Sequence, residues 1–64
     1  MCKPSWDDAP EWANYMAMDE CGEWWWYECE PIEMNGYWTS SNGNRMSTNL
    51  APYLPWRESS ERRP

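Results

Sequence analysis

Glu28 and Glu30 stand two residues apart, so in an extended strand they share a face and form a carboxylate pair of the kind that general acid–base chemistry uses. The chain has no histidine to complete such a site. We therefore read the pair as a solvated edge or an acidic contact surface, and expect no catalytic residue and no enzyme. Asp19, Glu20 and Glu23 flank a short turn but lack the ligand spacing of a calcium loop. They read as a charged turn. Cys2, Cys21 and Cys29 are odd in number, and no C-x-x-C pair occurs. They supply neither a complete disulfide framework nor a four-ligand zinc site within one chain. Reduced thiols, no metal and no cofactor are the expectation.

The other residues with chemical potential are aromatic. Seven tryptophans and four tyrosines stand beside one isoleucine and two leucines, with no valine and no phenylalanine. Any core must be built from indole rings. Trp24, Trp25 and Trp26 are consecutive, so a strand through them points rings to both faces. Some of that surface is expected to meet a partner, because indole combines a large apolar area with an N–H that wants an acceptor. Trp24, Trp26 and Trp38 could also stack a nucleobase. Holding a nucleotide's phosphates would need nearby cations or a glycine-rich loop, and only Arg45 and the tail arginines are available. Core packing is the better reading of these rings.

Charge narrows the partners. Residues 1–34 hold nine carboxylates against Lys3 alone, a net of −8. Residues 35–64 hold four arginines against Glu58 and Glu61, a net of +2. An acidic body with a weakly basic tail argues against direct contact with nucleic acid or an anionic membrane, which need clustered Lys and Arg. It favours a partner with a basic surface. No apolar run approaches the roughly 18 residues of a membrane span, and MCKPSWDDAP lacks the apolar stretch of a signal peptide. The cytoplasm is the expected location.

These residues need a small scaffold to position them. Sixty-four residues allow one domain, and a domain of that size buries only about 60% of its unfolded surface. Self-association as a homo-oligomer, or binding to a larger protein, is expected to add stability. Residues 1–11 read as an extended segment with Trp6 as its anchor. Residues 10–20 fit two patterns. Pro10, the alanines and Gly22 match helix start and stop signals, whereas Ala13, Tyr15 and Ala17 alternate with Trp12, Asn14, Met16 and Met18 as in a hairpin. Residues 23–30 read as a strand ended by Pro31, with Trp25, Tyr27 and Cys29 on one face. Asn35-Gly36 marks a turn and Tyr37 to Thr39 a returning strand. Residues 41–49 read as a mobile polar loop. Residues 50–64 form a Pro-rich tail with a short helical turn after Pro55, where Trp56 and Arg57 pin the tail to the body.

Trp6 to Pro31 and the closing PWRESSERRP resemble a family of small accessory proteins of tailed bacteriophages and prophages. The pattern is W-x-x-A-P-E-x-A, an acidic stretch with Asp and Gly, W-x-W plus an aromatic, and W-R-x-S-x-x-R-P. Trp6, Ala9, Pro10, Glu11, Ala13, Ala17, Asp19, Gly22, Trp24, Trp26, Tyr27, Pro31, Trp38, Trp56, Arg57, Ser59, Arg62 and Pro64 fall on it. Trp12 and Trp25 depart from it. The resemblance implies a small antiparallel β protein. It tips the reading to an all-β fold, a three-stranded antiparallel meander over residues 12–40 with an extended C-terminal tail. The alternative is α+β with a short helix at residues 10–20. The resemblance implies no activity. The expected role is host takeover or anti-defence in the host cytoplasm. There an acidic, tryptophan-rich inhibitor would contact a host protein, such as a nucleic-acid-handling or anti-phage defence enzyme, through Trp24, Trp25, Trp26, Glu28, Glu30 and Trp38. The alternatives are an aromatic-lined sponge for a nucleotide signal, or a virion structural or assembly peptide.

Overall fold

The computed structural model describes residues 4–50 and 55–64. Cys2 and residues 51–54 of the expected tail lie outside the described residues. Six strands occur among those described: β1 Tyr15–Met18, β2 Glu23–Tyr27, β3 Ile32–Glu33, β4 Trp38–Thr39, β5 Arg45–Leu50 and β6 Glu61–Arg62. The main sheet has the antiparallel order β5-β2-β1-β6, and β3 and β4 form a separate two-stranded sheet.

The β1–β2 hairpin is the centre of the molecule. Its register sets Met16 opposite Trp26 and Met18 opposite Trp24 on one face, with Tyr15 opposite Tyr27 and Ala17 opposite Trp25 on the other. Alternation at period two decides between the two readings of residues 10–20. A helix would have spread Met16 and Met18 around its circumference, whereas the strand stacks both against the indole rings of β2. The helical alternative is not what the chain adopts.

The core collects on the Met16–Trp26 face. Ala13, Met16, Met18, Trp24, Trp26 and Trp56 form the buried cluster, with Trp6, Trp12 and Trp38 packed against it. Six of the seven tryptophans thus share one core, and Trp25 is the exception. Trp6 packs on Trp26 with ring centroids 5.3 Å apart, and Trp38 meets Trp56 edge to face at 6.3 Å. Both are arrangements that the ring quadrupole favours.

The all-β expectation matches the structure, and the three-stranded meander does not. Residues 45–49, read from sequence as part of a mobile loop, and Leu50, read as the start of the tail, form β5 along β2. Their polar sequence conceals the strand because residues 45–48 are exposed, and an exposed edge needs only backbone hydrogen bonds. The strand from Tyr37 returns along Ile32–Glu33 and not along β2. At its turn Gly36 has a φ of 95°, a conformation that side chains rarely adopt. The Glu20 N–H donates to the Gly36 carbonyl at 3.1 Å, tying this small hairpin to the β1–β2 turn.

Trp56–Glu58 is the short helical turn expected after Pro55. Beyond it the chain is more than an extended tail. Glu61–Arg62 adds β6 to the outer edge of β1, and the Arg63 N–H donates to the Asn14 carbonyl at 2.7 Å.

Candidate interaction surface

Trp24 and Trp26 are 0% and 1% exposed. Their rings are the floor of the core and reach no partner while the domain is folded, so the contact role expected of them is corrected to a structural one. The same enclosure removes two walls of the nucleobase slot considered from the sequence. Strand alternation is the cause: Trp24 and Trp26 go to the core face together and leave Trp25 on the other.

Trp25 is half-buried, with the Arg45 guanidinium 5.8 Å from its ring centroid. Its indole N–H is enclosed and meets no acceptor among the described residues. Trp38 is also half-buried, and its polar atoms are engaged from three sides. Its backbone N–H donates to Asp19 Oδ1 at 2.9 Å and its indole N–H to the Trp56 carbonyl at 3.1 Å, while its carbonyl accepts from the Tyr27 hydroxyl at 3.0 Å. Trp38 is therefore a joint between the small hairpin, β2 and the C-terminal segment. Burial raises the Tyr27 phenol above its ordinary pKa, which keeps that hydroxyl a donor.

The carboxylate pair divides into two roles. Glu28 Oε1 accepts from the backbone N–H of Asn44 at 2.9 Å and from its side-chain amide at 3.2 Å. Glu28 thus fastens the loop that leads into β5. Gly43 makes the approach feasible: its φ is 81°, and a Cβ there would stand 2.8 Å from Cys29 Sγ and 3.3 Å from Glu28. Glu30 is exposed and borders an open groove of about 440 Å³ that Asn14, Tyr15, Cys29 and Arg62 also line.

Three of the four arginines reach onto the protein, and Arg62 is exposed at the groove beside Glu30. Arg57 lies 4.7 Å from the Trp56 ring centroid and pairs with Glu33 at 2.9 Å. Trp56 is 9% exposed. Arg63 donates to the carbonyls of Pro10 and Ala13 and lies 5.4 Å from the centroid of Trp6. Arg45 donates to the Thr39 hydroxyl at 3.1 Å. Trp6 in turn donates its indole N–H to Glu61 at 2.9 Å. By contrast, the exposed carboxylates Asp7, Asp8, Glu11, Glu20, Glu30 and Glu58 make no ion pair with a described residue.

Asp19 is half-buried beneath Trp38, and burial raises its carboxyl above the usual carboxylate range, opposed by the Trp38 N–H and reinforced by Glu23. Among the described residues no group of three or more Asp, Glu, Cys or His is placed to hold a metal ion, and no helix is long and apolar enough to cross a membrane.

Sequence reasoning missed Asn44 as the partner of Glu28 and Ser59 as a buried polar residue. Asn44 follows Gly43 in a turn-rich stretch, a signal that was visible. Ser59 offered none. No protein-family model matches the chain, and no curated protein or solved structure matches it either.

Proposed function

We propose that this is a small acidic binding protein, phage-encoded, that modulates a host protein by contacting its basic surface. The observation that supports this reading is the uneven fate of the charges. Arg45, Arg57 and Arg63 are engaged by a hydroxyl, a carboxylate, carbonyls and indole faces. Six exposed carboxylates remain without an ion partner among the described residues. The field a partner meets follows the formal net charge of −6, and the six exposed carboxylates present it. The likeness of the chain to small phage proteins supplies the host setting, in which such a field competes for sites that bind phosphate.

Affinity capture from host cells, followed by mass spectrometry, identifies the partner. Association with that partner is then measured across ionic strength. Electrostatic contact predicts faster association at low salt. Glu30→Lys should slow it without changing the fold, because Glu30 is exposed and makes no internal bond. Glu28→Lys should also disturb the loop at Asn44. An association rate that ignores both salt and Glu30→Lys would rule out the acidic contact.

A further inference from the structure

We propose that β5 pairs with β5 of a second copy of this chain, antiparallel about a two-fold axis at Ser47. The geometry of the β2–β5 ladder fixes which atoms are available. The Glu28 N–H donates to the Asn44 carbonyl at 2.9 Å. In an antiparallel ladder the backbone groups alternate between the two sides of a strand. Asn44 and Met46 therefore face β2, and Arg45 and Ser47 turn their N–H and carbonyl groups to the outer edge. Among the described residues, no strand flanks β5 on that side in the sheet order β5-β2-β1-β6.

Natural edges are protected by proline, lysine, bulges or a covering segment. Arg45, Met46, Ser47 and Thr48 are exposed, Met46 at 46%, and β5 contains neither lysine nor proline. The ladder shifts register where Trp25 pairs with Ser47 and Glu23 with Leu50, which puts one extra residue in β5 beyond Ser47. The stretch up to Ser47 stays regular. Pairing about Ser47 sets Met46 opposite Thr48 of the second copy and covers its side chain.

Charge selects the occupant. No Asp or Glu occurs between Glu33 and Glu58, and Arg45 and Arg57 lie in that interval. Two copies of a chain with net charge −6 repel wherever their acidic surfaces meet. β5 itself carries no acid and one arginine, so its edge is where they approach at least cost. The contact uses a different surface from the acidic one proposed above, so each can fail without the other.

One short strand pair buries much less than the roughly 1,200 Å² at which stable interfaces begin. The dimer is therefore weak, forming between micromolar and millimolar concentration. Sedimentation equilibrium of the full chain across that range, with thiols kept reduced, should show a monomer–dimer equilibrium. Ser47→Pro removes the N–H donor at the two-fold and with it both bonds that the pair exchanges. It should weaken dimerisation about ten-fold or more. The monomer's circular dichroism should be unchanged, because the lost N–H points away from β2. Ser47→Lys keeps that N–H and sets two ammonium groups against each other. Its dimer should vanish at low salt and return at high salt. If Ser47→Pro fails to fold, Ser47→Lys decides. A chain that stays monomeric throughout, or a Ser47→Lys chain that dimerises at low salt as tightly as the unaltered one, overturns the proposal.

Discussion

The hydroxyl of Ser59 closes the edge of β1 at Met18: it accepts the Met18 N–H at 2.7 Å across 41 residues of sequence. β6 covers β1 only at Tyr15 and Met16, so one side chain continues where the backbone ladder stops. Ser59 is 3% exposed, and water does not substitute for it. Its oxygen also lies 2.7 Å from the Trp56 carbonyl and 3.2 Å from the Met18 carbonyl. A hydroxyl has one proton. The shorter contact takes it, so Ser59 donates to Trp56 and accepts from Met18, linking the C-terminal turn to the sheet.

Ser59→Ala should leave the Met18 N–H buried without an acceptor, at a cost of about 1–3 kcal/mol. Urea unfolding followed by far-ultraviolet circular dichroism measures it. A variant as stable as the unaltered chain would show that the hydroxyl bridges nothing of consequence. In a domain this small, a loss at the upper end is a large part of the total stability.

Trp56 and Trp38 should respond very differently to substitution. Trp56→Ala removes a ring from the centre of the aromatic cluster and should cost about 3–5 kcal/mol, enough to unfold a domain of this size. Trp38→Phe keeps a ring against Trp56 and loses one donor to the Trp56 carbonyl. That carbonyl also accepts from the Ser59 N–H and hydroxyl, so it stays satisfied and the loss should be about 1 kcal/mol or less beyond the smaller ring's packing. Thermal melts of the two variants should separate clearly. Equal destabilisation would mean that Trp38 contributes by its hydrogen bond and not by its ring.

The aromatic hairpin was legible because burial writes itself into composition: Met16, Met18, Trp24 and Trp26 alternate with less buried or smaller neighbours, and the strand period reads directly. Trp56 was legible for a similar reason, as a tryptophan bracketed by Pro55 and Arg57 ahead of a polar end. β5 was not, since Ser47 and its neighbours are exposed and their pairing lies wholly in backbone atoms that every residue carries. The separate functions of Glu28 and Glu30 were equally hidden. From sequence both carboxylates sit on a strand over 23–30 and look equivalent; the strand ends at Tyr27, and Asn44 arrives from the loop and takes Glu28 alone. Likewise, the Trp24-Trp25-Trp26 run announces aromatic surface, and only the register with β1 decides that the outer two rings are the enclosed ones.

Asp19 gives the fold a pH dependence of definite sign. Burial, the largest influence, raises its folded pKa above the ordinary value, with the Trp38 N–H pulling the other way. In the window between the ordinary and the raised value the folded chain holds more protons than the unfolded one. Asp19 therefore contributes stability at low pH that is lost as pH rises through the folded pKa. Asp19→Asn keeps an oxygen to accept the Trp38 N–H and never ionises. The advantage of Asp19→Asn over the unaltered chain should grow as pH rises through this window and level off above it. Asp19→Ala lacks the acceptor and should cost about 1–3 kcal/mol. Unfolding free energies of the three chains across the acid range check the sign, and subtracting the unaltered chain cancels the titration of the other carboxylates. A constant difference between Asp19→Asn and the unaltered chain would mean that Asp19 ionises as freely in the fold as in the unfolded state.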